Sequence, residues 1–171
     1  YLPTKSGAPA QPSGTEHYYS FDHGMAHFTC LDSQSTSSTP GGAMFAWAEA
    51  DLDHARALGK RWLFVYMHHP PYSRGTHDST QEADLIRLHD DLVPLFSAKG
   101  VDLVLSGHSH VYERSFLAKN DAVLQADVAS YTKIGSPDGT VYLVTGCAGK
   151  TGSGPLDHPL IPVVLVQLPL E

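Results

Sequence analysis

Apolar residues recur along this chain with two different spacings. Between 43 and 58, Phe45, Ala48, Leu52 and Ala55 fall three or four apart while Glu49, Asp53 and Arg56 take the other side, which predicts an amphipathic helix. Leu85, Leu88, Leu92, Leu95 and Phe96 repeat the pattern over 81–98, and Gly100 is placed to stop it. Each helix is followed by an apolar stretch, 61–67, continuous after Arg61, and then 101–105, interrupted only by Asp102, of the kind that strands buried on both faces show. Upstream, aromatic and β-branched runs at 18–22 and 26–32 flank His23-Gly24-Met25 and predict a two-stranded hairpin. Pro, Ser, Gly and Thr collect in 3–15 and predict a loop, and 33–42 reads as a polar connection. Downstream, 111–116 reads as extended, and 139–145 and 161–168 supply two more strands after an irregular stretch. No internal repeat is visible. Strand, helix, strand, helix, strand is an α/β pattern, with hairpins added at either end.

Composition narrows the function classes. With 171 residues, 42% of them hydrophobic, the chain suits one globular domain or part of a larger one, and order is expected for most of it. Eleven basic residues stand against 18 acidic ones, a formal charge of −7, and no Lys/Arg cluster is present to track a nucleic-acid backbone, so a nucleic-acid polymer is not an expected partner. The longest apolar stretch, near 160–168, is far short of the ~20 residues a bilayer-crossing helix needs, so no membrane span is expected. Tyr1-Leu2-Pro3 lacks an initiating Met and has neither the basic start nor the apolar middle of a secretion signal, so the start is expected to be a cut point inside a longer protein. Cys30 and Cys147 lie in apolar contexts and read as two buried thiols rather than a disulfide.

The candidate chemistry sits where the two apolar strands end. His68 follows the first, and His108 and His110 follow the second, so a sheet that sets these strands side by side brings three imidazoles to one edge. Neutral imidazole is a ligand for Zn, Fe, Mn or Ni, and a pair spaced by one residue on a loop can reach two adjacent ions. A single histidine in such a place more often caps a strand or packs. His-Ser-His after Ser-Gly, together with His-His-Pro-Pro-Tyr, tips the reading toward a metal site.

Met67-His68-His69-Pro70-Pro71-Tyr72 and Gly107-His108-Ser109-His110-Val111-Tyr112-Glu113-Arg114 resemble the last two metal-binding motifs of calcineurin-like metallophosphoesterases. The Tyr-Glu-Arg continuation is similar to that of purple acid phosphatases, and the resemblance runs from about Tyr1 to Gly149. It implies the second half of a metallophosphoesterase-type layered sandwich, mixed β-sheets flanked by helices, so that 1–171 would be a single partial domain without its N-terminal half. It also implies that His68 and His108 ligate the divalent ion and that His110 ligates its partner, ferric in purple members, with Zn, Mn or Fe beside it. His69 matches a position that binds no metal. His77 is similar in placement to a histidine that holds the phosphate and can help protonate the leaving group, and a solvated loop histidine is the equal alternative. Tyr112, Glu113 and Arg114 read as fixing the loop rather than touching substrate. A secreted or periplasmic location is suggested by the resemblance alone.

The departures matter as much. The family's Asp-x-His, Gly-Asp and Gly-Asn-His-Glu or Gly-Asn-His-Asp motifs do not occur: no Asp stands two places before any of the 11 histidines, and no Gly precedes Asp or Asn. Cys147 and Lys150 stand where Asp and Asn types are usual, and the C-terminus lacks strands the family adds. Two divalent ions ~3.5–4 Å apart need bridging and flanking anions to offset their repulsion, which three neutral imidazoles do not provide. The expectation is a metal-dependent phosphate-ester hydrolase for the intact protein, with a metal site partial or empty in this chain. A non-catalytic metal- or partner-binding half-domain, and one chain of a split or proteolysed enzyme completed by a second chain, are the alternatives. Self-association through apolar surface left uncovered by the missing half is expected, unless a second chain completes the sheet and buries that edge.

Overall fold

The computed structural model describes residues 12–126, 139–155 and 157–165. Strands β1 (Tyr19–His23) and β2 (Ala26–Cys30) form the expected hairpin. Helix α1 (Ala43–Ala57) leads to β3 (Trp62–Tyr66), and α2 (Ala83–Lys99) leads to β4 (Leu103–Ser106). Then follow β5 (Tyr112–Arg114), β6 (Leu117–Lys119), β7 (Ala122–Gln125), β8 (Val141–Thr145) and β9 (Val163–Leu165). Seven strands make one mixed sheet in the order β1-β2-β3-β4-β8-β5-β9, in which β2, β3, β4 and β8 run parallel and β1 and β5 run against them. The α/β reading therefore stands. Part of the expected last strand, 166–168, and the start of the 3–15 loop lie outside the described residues.

Parallel neighbours need crossovers, and α1 and α2 supply them for β2 to β3 and for β3 to β4. Both helices pack on one face of the sheet. Leu52 and Ala55 of α1 and Leu88, Leu92 and Phe96 of α2 share a core with Leu63, Val65, Val104 and Tyr142. Gly100 ends α2 in the left-handed region (φ 67°), where its missing Cβ removes the steric cost. Pro94 lies inside α2 without ending it. Around it Leu92, Val93, Leu95 and Phe96 are all buried, and that burial outweighs the one lost hydrogen bond. None of the helices among the described residues is long and apolar enough to cross a membrane.

Two buried polar devices tie this layer together. Asp51 of α1 accepts from Ser20 Oγ (2.7 Å) and Thr29 Oγ1 (3.1 Å) and pairs with His27 Nε2 (2.8 Å). His27 Nδ1 in turn lies 2.7 Å from Asp22 Oδ1, and Lys60 Nζ reaches the other oxygen of Asp22. Burial opposes a charge on His27, but Asp51 and Asp22 outweigh it and raise its pKa. Arg56 and Asp102 form the second device, linking the end of α1 to the start of β4 at 3.3 Å.

The face opposite the helices is half-exposed and apolar. Register aligns Phe21, Phe28, Phe64, Leu103 and Val141 in one row across five strands. Phe21 stacks on Phe28 at 4.9 Å, and Phe28 meets Phe64 at 5.1 Å. A hollow of about 430 Å³ opens on this face between Trp62, Phe64, Leu103, Tyr112, Arg114 and Leu143. Cys30 and Cys147 are both free, as expected, but each is half-buried rather than enclosed.

The chain also forms a hairpin that hydrophobic patterning does not reveal, β6 with β7. Asn120 (φ 44°) and Asp121 (φ 67°) take the left-handed conformations of its tight turn.

Candidate metal centre

The two histidine motifs meet because the backbone zips their loops together. Beyond the β3–β4 pairing, the Met67 N–H donates to Leu105 O (3.1 Å) and the Gly107 N–H donates to His68 O (3.0 Å). The β4 loop then turns tightly, with Ser109 N–H on Gly107 O at 2.7 Å and Val111 N–H on Ser109 O at 2.8 Å. His108, between them, sits at φ 61°. A left-handed histidine is a strained conformation that surrounding contacts must hold, and such residues gather at functional sites. Gly146, just after β8, permits the close approach: a Cβ there would overlap the Ser109 carbonyl.

The result is a cluster of rings. His68 Nε2 lies 3.2 Å from His108 Nδ1. Ring centroids are 4.8 Å apart for His68 and His69, 5.1 Å for His68 and His108, and 4.3 Å for His69 and His108. His77 stacks on His108 at 3.8 Å, tilted by 31°. Its Nδ1 is held 2.9 Å from Glu82 Oε2, and the other Glu82 oxygen accepts the Asp78 N–H at 2.7 Å. A hollow of about 380 Å³ opens between His69, His77, Glu82, Leu85 and His108.

Charge in this cluster follows from crowding. Burial, and then repulsion from His77, His69 and His68, push the His108 pKa down to about 4. Burial, with His68 next, also lowers that of His69. Glu82 is drawn down although burial opposes it, because His77 and the Asp78 N–H favour the carboxylate. His108 is therefore neutral near pH 7, with one ring nitrogen's lone pair available to an electrophile.

Two sets of three donors have their ligand atoms within 4.8 Å of one another among the described residues: His68, His69 and His108, and His77, Glu82 and His108. His110 is in neither. Its backbone N–H donates to Thr76 Oγ1 (2.9 Å) and its carbonyl accepts from Gly152, which ties its backbone to both neighbouring loops. The structure thus brings His68, His108 and His77 together, and adds His69 and Glu82. For Glu82, five residues after His77 at the mouth of α2, an acidic residue at a helix start was the only available sign, and that pattern also serves the helix dipole.

Glu113, buried to 1% exposure, accepts from Ser73 Oγ and from the Arg74 N–H. It fixes the segment between His68 and His77, whereas Tyr112 and Arg114 line the hollow on the opposite face.

Residues 3–112 match the calcineurin-like phosphoesterase family. The chain is similar to purple acid phosphatase 23 of Arabidopsis thaliana, with 32% identity over 144 residues, covering 83% of this chain and 28% of that protein. It is 30% identical over 156 residues to probable inactive purple acid phosphatase 9 of the same plant, 90% of this chain and 22% of the relative. Its fold is similar to the structure of a purple acid phosphatase from yellow lupin (Lupinus luteus) seeds, with a TM-score of 0.73 and 22% identity, covering 87% of this chain and 26% of that one. The chain spans about a quarter of the length of these proteins.

Proposed function

The chain belongs to the calcineurin-like phosphoesterase family, among its purple-acid-phosphatase-like members, and from that premise we propose that it carries the histidine side of a metal-dependent phosphate-ester hydrolase site. The observation that supports this reading most is the contact of His68 Nε2 with His108 Nδ1 at 3.2 Å, with His77 stacked on the second ring. In the two-ion reading, His68 and His108 would hold a divalent ion and His110 its partner, iron beside zinc, manganese or iron. The donor set fits one such ion. The nearest carboxylate, Glu82, is engaged with His77, and the acidic ligands of a second ion would come from an upstream segment or a second chain.

When bound, the metal supplies Lewis acidity toward the phosphoryl group and a water nucleophile at neutral pH. The chain's own residues do the rest. His77, with Nδ1 on Glu82, keeps Nε2 to hold a phosphoryl oxygen or to pass a proton to the leaving oxygen. The segment that carries His77 is held by Glu113. A phosphate monoester is the proposed substrate class. A non-catalytic half-domain is the second reading, favoured by the missing acidic motifs.

Hydrolysis of p-nitrophenyl phosphate by this chain and by a longer protein made by extending it upstream through the family's aspartate motifs, each with Zn, Mn or Fe, separates the two. Activity in the longer protein that is lost in a His68→Ala, His108→Ala variant supports the hydrolase. A longer protein that is inactive with every metal overturns it.

A further inference from the structure

We propose that this chain holds one borderline divalent cation, zinc foremost, on His68, His69 and His108, with Ser33 positioning His69. The proposal rests on the reading of this loop cluster as a metal centre and changes its ligand set, since His69 replaces His110 as the third imidazole.

The geometry of an ion fits the rings. Two nitrogens that each lie about 2.0–2.1 Å from a tetrahedral zinc are about 3.3 Å from one another, and His68 Nε2 and His108 Nδ1 are 3.2 Å apart. The two rings are inclined at 74°, His68 to His69 at 88°, and His69 to His108 at 53°. Rings set steeply to one another can aim their lone pairs at one point. Without metal, a single proton shared by the close pair fills the place of the ion.

His69 has the support a ligand needs. Ser33 Oγ, buried, accepts the backbone N–H of His69 at 2.9 Å and lies 3.1 Å from its Nδ1. A hydroxyl oxygen has two lone pairs, so it can accept both N–H groups. In the tautomer with the proton on Nδ1, Ser33 accepts that proton and Nε2 is the nitrogen available to an ion, the arrangement that ligating histidines commonly show.

The competing triad is less suited. His77 and His108 are stacked within 31° of parallel, so their lone pairs run side by side instead of converging. His77 Nδ1 and both oxygens of Glu82 already have partners. Glu82 contributes nearby negative charge to the cation on His108 without binding it. Three imidazoles with no oxygen donor select zinc, nickel or cobalt over magnesium or calcium. They carry no anion to hold a second ion beside the first.

The test is titration of the chain with Zn²⁺ by calorimetry and with Co²⁺ by visible absorption. One equivalent is expected. His69→Ala should weaken binding at least about tenfold, and Ser33→Ala about tenfold, the lower end for a residue that orients a ligand, with far-UV circular dichroism unchanged. Long-range ¹H–¹⁵N spectra of the unaltered chain address the same point should a variant lose its fold: ring nitrogens of His68, His69 and His108 shift on adding Zn²⁺, and those of His110 do not. Two equivalents, a silent His69 or a shifted His110 overturns the ligand set but leaves the metal centre standing. No binding of either ion overturns both.

Discussion

Ser73 donates a 2.6 Å hydrogen bond from Oγ to Oε2 of the buried Glu113, forty residues away in sequence, and this bond spans from the His68 segment to β5. Its partner oxygen takes the Arg74 N–H at 2.9 Å. Glu113→Ala would strand both donors in a dry interior, and the expected cost is about 2–4 kcal/mol of unfolding free energy. Glu113→Gln should cost far less, because the amide oxygen can take the Arg74 N–H while Ser73 turns to accept from the amide nitrogen. Burial raises the Glu113 pKa, with Ser73 and Arg74 opposing. A raised carboxyl contributes most below its unfolded pKa and less as pH rises through the folded one, so the Gln variant should gain relative to the parent from acid toward neutral pH. Urea denaturation at several pH values checks both statements, and an Ala variant as stable as the parent would refute the bracing role.

His27 gives a second pH dependence. Its imidazolium sits between Asp51 and Asp22 on the helix-facing side of the hairpin. With a folded pKa raised above the unfolded value, its contribution is full below about pH 6.5 and fades as pH climbs through the folded pKa. His27→Ala, which leaves a buried Asp51 without its cation, should cost about 3–5 kcal/mol at pH 6. Unfolding midpoints measured between pH 6 and 9 should fall for the parent and stay flatter for the variant. Parallel profiles would show that His27 is neutral in the fold.

Gly146 controls the shape of the histidine loop. A methyl group there overlaps the carbonyl of Ser109, which is backbone and cannot swing aside. Gly146→Ala should therefore shift His108, cost about 1–3 kcal/mol through overpacking, and weaken Zn²⁺ binding while the sheet persists. Calorimetric titration reads the affinity and circular dichroism reads the sheet. Unchanged affinity would mean that the loop accommodates the methyl group.

Much of this is legible in the sequence, and the exceptions have physical causes. The helices, the buried strands and the hairpin at 18–32 follow from period alone, because Leu52, Leu88 and Val65 have one way to leave water. The meeting of His68 with His108 follows from strand adjacency. What period cannot convey is the left-handed turn at His108, which sets how its imidazole meets those of His68, His69 and His77. The resemblance gives His69 no metal role, whereas its contacts with Ser33 arise from tertiary packing. Asn120-Asp121 marks a hairpin whose strands, three and four residues long, are too short to set up a period.

The last prediction concerns the face without helices. Phe21, Phe28, Phe64 and Leu103 form a row across four strands, and each remains only half-buried. Apolar area left in water costs about 25 cal/mol per Å², and monomers seldom present extended apolar patches unless something covers them. Of the possible covers, another copy of the chain is the one always present in a pure sample. The chain alone should therefore self-associate as concentration rises, and Phe64→Ser should shift it toward monomer. Removing one half-exposed ring also loses packing against Phe28, so stability should fall, but by less than the 3–5 kcal/mol typical of a fully buried phenylalanine. Multi-angle light scattering across a hundredfold concentration range reads the mass, and binding of a solvatochromic dye reads the exposed area. A monomer at every concentration with no dye bound would refute this association.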